Sequence, residues 1–192
     1  MTQRVHNVMR QLLIDGDRSA INVSNVAERA DVAPSTIYRR WGDLTNLELE
    51  VALEIAESQM PGVDTGSLPT DLLVFTRQAI AFIGSPTGNV LIRGWLTTDP
   101  EGLRNYWARR WIDVRAPFDR AIDRGELAAD APVIEALENH SGSLYFKVLF
   151  SGKTLDPEDA ARSLVEVALR TVGHPVPDAW RSTKSTVHRP TA

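Results

Sequence analysis

The sequence predicts an all-α protein of about nine helices, in which a small N-terminal three-helix domain precedes a larger helical domain. Three observations predict this fold class. Apolar residues recur at the three- and four-residue spacing of amphipathic helices along nearly the whole chain. The alternation of apolar and polar residues that marks a half-buried strand is absent. Proline, glycine and aspartate separate the periodic stretches at regular intervals.

The N-terminal part is predicted to form four helices, over residues 2–14, 24–30, 34–40 and 44–60. Each has apolar residues at helical spacing, and the sequences Asp-Gly-Asp, Asp-Val-Ala and Gly-Asp separate them. Pro34 suits the first position of its helix, because its missing N–H would have no partner there. The first three helices form the predicted small domain, and the fourth connects it to the rest.

A single linker-like segment, Pro-Gly-Val-Asp-Thr-Gly at residues 61–66, marks the boundary to the larger domain. Pro117 lies inside a predicted helix and should kink it, since proline cannot donate to the carbonyl of Asp113. The last residues are rich in proline, serine and threonine, which predicts disorder. The expected helices beyond the linker span residues 68–84, 87–98, 100–124, 132–151 and 157–173. The chain thus divides into a domain at 1–46, the connecting helix 44–60, a domain at 64–173 and a disordered tail at 174–192.

Composition and missing motifs exclude several classes of protein. No apolar run approaches the roughly 18 residues of a membrane helix, and the first residues lack the apolar core of a signal peptide. We therefore expect a cytoplasmic protein without membrane contact. The chain has no cysteine, and it lacks a Gly-rich phosphate loop, a Gly-x-Ser-x-Gly motif and histidines at metal-site spacing. We expect no enzyme activity, no cofactor and no metal.

Residues 22–41 carry the most informative pattern. They read as two short helices joined by a tight turn, locked together by small and apolar side chains. The outer face of the second helix presents hydroxyls, a phenol and two guanidiniums, from Pro34, Ser35, Thr36, Tyr38, Arg39 and Arg40. Such groups reach phosphates and base edges, and arginine can bond guanine bidentately. The alternative is that this is an ordinary solvated helix face. The net charge of −4 is consistent with that alternative, because it gives no support to DNA binding.

The same stretch resembles the helix-turn-helix of the TetR (tetracycline-repressor-like) family, through Val26-Ala27-Glu28-Arg29-Ala30 and Thr36-Ile37-Tyr38-Arg39-Arg40-Trp41. Three positions depart from the family pattern. Asp31 replaces the usual turn glycine, although aspartate tolerates a left-handed conformation better than most residues. Asn22 replaces the commoner threonine and can still cap its helix, and Leu44 replaces a common lysine, with Thr45 as a polar substitute. The resemblance implies a TetR-like fold and a double-stranded DNA operator as partner. The DNA contacts it implies are Asn22, Ser24, Pro34, Ser35, Thr36, Tyr38, Arg39, Arg40 and Thr45.

Residues 64–172 resemble one subtype of TetR C-terminal domain in short stretches, and in that family the last two helices of two protomers form a four-helix bundle. Helix 132–151 is apolar on more than one side, so it needs both its own core and a partner. We therefore expect a homodimer, with a core confined to one chain as the alternative. The expected interface residues are Leu137, His140, Ser141, Leu144, Val148, Leu164 and Ala168. His140 is expected to be a buried, hydrogen-bonded histidine rather than a ligand.

The middle of the larger domain is rich in aromatic residues, which suits either core packing or the lining of an apolar ligand pocket. The candidates are Phe75, Phe82, Trp95, Trp107, Trp111, Phe118 and Tyr145. By family default, we expect a repressor that binds a palindromic operator as a homodimer and is released by a small, mostly apolar effector. The alternative is an effector-free, constitutive DNA-binding protein.

Overall fold

The computed structural model describes residues 1–97, 100–150 and 156–180, with the side chains of 95–97 and 100–110 left out. The described residues form nine α-helices, two short 3-10 helices and no strand. The helices are α1 (Thr2–Asp15), α2 (Val23–Ala30), α3 (Pro34–Trp41), α4 (Leu44–Gln59), α5 (Leu68–Ile83), α6 (Pro86–Thr97), α7 (Pro100–Asp123), α8 (Val133–Phe150) and α9 (Pro157–Thr171). The predicted all-α fold class is confirmed, and the predicted helix ends lie within two residues of these.

The first three helices pack on one another through buried side chains that belong to the main core. Val5 and Met9 of α1, Val26 of α2 and Ile37 of α3 have no exposed surface. Ala27, which is 1% exposed, keeps the side chains between helices short and allows close packing. A rigid support of this kind fixes the direction in which the outer face of α3 points.

The ends of the short helices are set by local chemistry. The Asn22 side chain accepts a hydrogen bond from Asn25 N at 2.9 Å and caps α2. Asp31 follows α2 at φ 52, in the left-handed region where a glycine is usual and where aspartate is better tolerated than most residues. Asp43 caps α4 in the same way, accepting from Asn46 N at 2.8 Å. The departure noted at position 31 is therefore compatible with the tight turn.

Helix α4 joins the two domains because it packs on both. Leu47, Val51 and Ile55 are at most 1% exposed, and the helix contacts α1 and α3 in the N-terminal domain and α6 in the larger one. Gly94 of α6 touches Leu49 so closely that an added Cβ would lie 2.7 Å from its Cδ1. The junction between the domains is thus tightly packed at this point.

In the larger domain α5 is central, contacting α6, α7, α8 and α9. Pro117 is buried inside α7, which continues through it. Two stretches that were distant in sequence meet here: Glu126, just after α7, accepts a hydrogen bond from Leu68 N at 3.0 Å. Asp71 is fully buried and accepts from both the backbone N (2.7 Å) and Oγ1 (2.6 Å) of Thr65. These bonds fasten the linker to the larger domain.

The end of the described chain packs back onto the core. Val176 and Trp180 are half-buried against it, and Asp178–Trp180 forms a 3-10 helix. The prediction of disorder from residue 174 is therefore wrong for residues 174–180, because two apolar side chains give this segment surface to bury. The remainder of the predicted tail, residues 181–192, lies outside the described residues.

Candidate nucleic-acid interface

The outer face of α3 is exposed along its length. Pro34, Ser35, Tyr38, Arg39 and Arg40 are all exposed, and Tyr38 keeps 54% of its surface accessible although it is a large aromatic residue. Burying a tyrosine ring is favourable in most proteins. Because the Tyr38 ring is exposed on a helix that also carries two guanidiniums, this face suits contact with a polar partner.

Thr36 departs from the prediction that it lies on this outer face. Its side chain is only 7% exposed and belongs to the buried side of α3, next to Ile37. The reason is helical geometry: Thr36 and Trp41 flank Ile37 on the inner side, while Ser35 and Tyr38 point away. The hydroxyl still borders an open depression, described below.

The C-terminal end of α3 is held by α4. Trp41 is 7% exposed, and its indole N–H donates to Glu50 Oε2 at 3.0 Å. Asn46 Nδ2 donates to the Trp41 carbonyl at 2.9 Å. Arg40 lies over the Trp41 ring, with its guanidinium carbon 5.5 Å from the ring centroid. The last turn of α3, which carries both arginines, is thereby kept in place before any partner binds.

The other predicted DNA contacts lie at helix starts near α3. Ser24, in the first turn of α2, and Thr45, in the first turn of α4, are exposed. Asn22 is also exposed, but its side-chain oxygen is already occupied by the cap of α2. Backbone N–H groups at helix starts favour phosphate oxygens. Ser24 and Thr45 therefore remain predicted phosphate contacts. At Asn22 we expect the backbone N–H groups at the start of α2 to contribute to the contact with a phosphate.

One part of this surface was missed in the sequence. Met1 and Thr2, at the start of α1, line an open depression of about 360 Å³ together with Thr36, Arg39 and Arg40. No spacing rule could have found this neighbourhood, because the start of α1 and the end of α3 are distant in sequence.

The charge near α3 is more favourable to an anion than the net charge of −4 indicates. Helix α3 contains two arginines and no acidic residue. Asp31, in the preceding turn, is paired with Arg4, whose Nη1 lies 2.9 Å from Asp31 Oδ2. Asp43, in the following turn, caps α4. The two nearest acids in sequence are thus both engaged, and α3 itself presents positive charge.

The aromatic residues predicted to line an effector pocket divide into two groups. Phe82 (3% exposed) and Phe118 (0%) are part of the core, and Phe75, Trp111 and Tyr145 are half-buried against it or beside it. The side chains of Trp95 and Trp107 lie outside the described residues. The arrangement fits the core-packing interpretation for Phe82 and Phe118, and the pocket stays a prediction for the half-buried residues.

Most of the predicted dimer contacts are buried inside the single chain. Five of the seven are at most 4% exposed without any partner: Leu137, His140, Leu144, Leu164 and Ala168. Because α5, α8 and α9 pack on one another, these five have little surface left for a partner, and their assignment to an interface stays a prediction without support from the packing. Ser141 and Val148 are half-buried. The sequence showed that α8 is apolar on two sides, but it could not show which side faces inward.

His140 has the environment that the sequence predicted, a buried and hydrogen-bonded one. Its Nε2 lies 2.8 Å from Thr76 Oγ1, and that hydroxyl donates to the Leu72 carbonyl at 2.6 Å. Since the hydroxyl proton is used, Nε2–H is the donor to Thr76. Burial lowers the pKa of His140 to about 4, so the ring is neutral at pH 7.

Comparison with known proteins agrees with this architecture. The family model described as "Tetracyclin repressor-like, C-terminal domain" matches residues 63–168. A match over more than half of the chain, beside an N-terminal helix-turn-helix, defines a class: transcriptional regulators of the helix-turn-helix type, which are not enzymes. This chain belongs to the TetR family of transcriptional regulators, and proteins of this type bind DNA.

The proteins that this chain is similar to are named as transcriptional regulators. The chain is 25% identical over 167 residues to the uncharacterized HTH-type transcriptional regulator YdeS of Bacillus subtilis (strain 168), covering 84% of each protein. It is 30% identical over 112 residues to the HTH-type transcriptional regulator AqdR of Rhodococcus erythropolis, covering 56% of this chain and 54% of that one. The crystal structure of the TetR family transcription regulator SCO0332 has the same fold, with a TM-score of 0.71 at 20% identity, covering 91% of this chain and 98% of that one. Within the described residues, no helix is long and apolar enough to cross a membrane.

Proposed function

We propose that this protein is a homodimeric repressor that holds a palindromic operator through two copies of α3 and leaves it when a small, mostly apolar effector binds. The observation that carries the proposal is the exposed outer face of α3. It combines Tyr38 at 54% exposure, two arginines and the absence of acids with a rigid attachment through Trp41. Two such helices spaced about 34–36 Å apart would enter successive major grooves.

Dimerisation is supported by apolar side chains that remain exposed on α8 and α9. On α8 these are Ile134 (54%), Phe146 (66%), Leu149 (41%) and Phe150 (73%), and on α9 Val167 (40%). We call this set the apolar α8 surface. The rings of Phe146 and Phe150, one turn apart, have centroids 5.4 Å from each other. Exposed apolar side chains that lie close together, as those of Phe146 and Phe150 do, often mark a protein interface.

The occupant we propose is the same surface of a second copy. Gly142 is exposed on α8, and an added Cβ there would meet nothing within 4 Å, so a partner helix can approach its backbone closely. A twofold axis makes such a contact self-complementary, because each α8 meets the other. We therefore propose the exposed side of α8 as the interface, in place of the buried side that was predicted from the sequence.

Release by an effector requires that the ligand bind one separation of the two α3 helices better than the other. The packing of α4 on both α1 and α6 gives a physical route between the domains. The half-buried Phe75, Trp111 and Tyr145 are the described candidates for contact with an apolar ligand. The burial of Phe82 and Phe118 in the core favours the second candidate function, an effector-free DNA-binding protein.

One titration separates these functions. The protein is bound to a fluorescent operator fragment, and apolar and polar metabolites are added while operator anisotropy and tryptophan fluorescence are followed. Release by apolar compounds, with a change in tryptophan emission, supports the proposal. Release only by a charged sugar phosphate would contradict the apolar effector, and release by no compound would favour the effector-free protein.

A further inference from the structure

A second group of polar residues lies on the inner side of the N-terminal domain, away from the exposed face of α3. His6 of α1 is only 6% exposed and lies against Glu50 and Glu54 of α4. The three side chains bring one nitrogen and two carboxylate oxygens within 4.8 Å of one another. The two glutamates are one helical turn apart, so they share a face of α4.

The two ring nitrogens of His6 have different surroundings. Nδ1 lies 2.9 Å from Glu54 Oε1. Nε2 lies 3.0 Å from Glu50 Oε1, yet it is enclosed and has no hydrogen-bond partner among the described residues. A buried ring nitrogen that faces a carboxylate oxygen without a hydrogen bond between them is costly unless something else satisfies it. A cation bound between Nε2 and Glu50 would do so.

Both glutamates have one oxygen fixed and one directed at the histidine. Glu50 Oε2 accepts the indole N–H of Trp41 at 3.0 Å, which leaves Oε1 for the ring. Glu54 Oε2 accepts from Arg10 Nη2 at 3.2 Å, which leaves its Oε1 for Nδ1. The carboxylates are therefore positioned by donors outside the cluster.

We propose that His6 and Glu50 bind a divalent transition-metal ion of the zinc type, with Glu54 orienting the imidazole. Imidazole nitrogen together with carboxylate oxygen suits zinc, whereas calcium and magnesium prefer oxygen alone. A histidine that binds metal usually donates its second N–H to a carboxylate, which is the position of Glu54 relative to Nδ1. Two ligands at about 2.1 Å from a tetrahedral ion lie about 3.4 Å apart, so a small rotation of Glu50 opens the observed 3.0 Å. Water completes the coordination, since the Glu50 side chain is 46% exposed.

The site joins helices that must stay together for DNA recognition. Its ligands come from α1 and α4, and Glu50 also holds Trp41 at the end of α3. A bound ion would therefore raise the melting temperature of the protein. This cluster could not be predicted from the sequence, because His6 and the glutamates are far apart along the chain and meet only when α1 packs on α4.

The test uses the full-length protein, freed of metal with a chelator and titrated with zinc chloride alone. Calorimetry and elemental analysis after dialysis should give one ion per chain, and zinc should raise the melting temperature. Glu50→Gln, at an exposed position, and His6→Gln should abolish binding, and Glu54→Gln should weaken it about 10–100-fold, as expected for a residue that orients a ligand. His174→Gln is the matched control, because His174 Nε2 lies 3.8 Å from Glu126 Oε2 in the other domain. That variant should bind zinc as the parent does.

Circular dichroism shows whether the variants are folded, and Glu50→Gln keeps the test valid if His6→Gln does not fold. Absence of zinc binding to the parent at millimolar concentration would overturn the proposal and leave His6 as a histidine packed against two glutamates. Binding that survives in folded Glu50→Gln would also overturn it, as would binding lost in His174→Gln.

Discussion

The exposed aromatic residues of the two domains lie in opposite surroundings. In the N-terminal domain the exposed aromatic residue is Tyr38, flanked on α3 by arginines and hydroxyls, and the other exposed large apolar residues, Met1 and Ile14, lie at the two ends of α1. Among the side chains that the structure describes in the larger domain, the exposed aromatic residues are Phe146 and Phe150, which have no polar group to hydrate. The face of α3 is stable in water and gains from phosphates and bases, whereas the apolar α8 surface gains most from another apolar surface.

The largest effect is expected from a charge placed in the apolar α8 surface. Phe146→Glu should raise the dissociation constant of the dimer at least 100-fold, because an unpaired buried charge costs about 3–5 kcal/mol. Analytical ultracentrifugation at micromolar protein measures this. Ile112→Glu is the matched control: Ile112 is 71% exposed on α7, outside the surface, and its variant should stay dimeric. If the parent sediments as the 21.3 kDa monomer, the apolar α8 surface does not form a dimer interface.

The core of the larger domain should respond to acid through His140. Its pKa is about 4 in the folded protein, below the ordinary value of 6.5, so the unfolded chain binds the extra proton first. The free energy of unfolding should therefore fall as the pH drops from about 6.5 to 4, by about 1.4 kcal/mol per pH unit from this residue and about 3 kcal/mol in total. Denaturant unfolding at several pH values checks this.

The control for that experiment is a variant that removes no titratable group. His140→Gln should flatten the slope between pH 6.5 and 4, whereas Ile112→Gln, at a 71% exposed position, should leave it unchanged. An equal slope in the parent and in His140→Gln would mean that the ring is not buried in the neutral form.

On the DNA side the expected effects are smaller per residue. Tyr38→Ala and Arg39→Ala should each weaken binding to a selected operator by roughly 1–3 kcal/mol, which is about 5- to 150-fold, and leave the dimer intact. Fluorescence anisotropy gives the affinities. Arg115→Ala is the control, since Arg115 is paired with Asp119 on α7, in the other domain. Operator binding as tight as that of the parent in both α3 variants would place recognition elsewhere.

The smallest effect is expected at Thr36, which was predicted to be exposed and is buried in the structure. Thr36 is 7% exposed, so Thr36→Val should change operator affinity less than about threefold, far less than Tyr38→Ala. A loss as large as that of Tyr38→Ala, in a variant of unchanged melting temperature, would mean that the Thr36 hydroxyl contacts DNA from the rim of its depression.

Local patterns predicted the helices well, because each depends on spacing, caps and breakers within a few residues. Pro34 at the start of α3 and the Asn22 cap of α2 are examples. The errors concern which side of a helix faces inward. Leu144 is as apolar as Phe146, and only the positions of α5 and α9 decide that the first is buried and the second exposed.

The cluster around His6 could not be predicted for a related reason. Its members come from α1 and α4, and neither helix alone carries a metal motif. The same holds for the neighbourhood of Met1 and Arg39 beside α3. Chemistry that arises between helices depends on tertiary packing, and periodicity in one segment holds no information about it.

The DNA-reading role of α3 is tested most directly by letting the parent protein select binding sites from a randomised double-stranded DNA library. We predict one palindromic operator, bound by a dimer, with half-site centres about 10 base pairs or a multiple of that apart. Binding to it should weaken steeply with salt, because phosphate contacts release counterions. The Tyr38→Ala/Arg39→Ala double variant should select no sequence while remaining dimeric. Selection of the same palindrome by that variant, or of no sequence by the folded parent, would contradict the assignment of the α3 face as the DNA-reading surface.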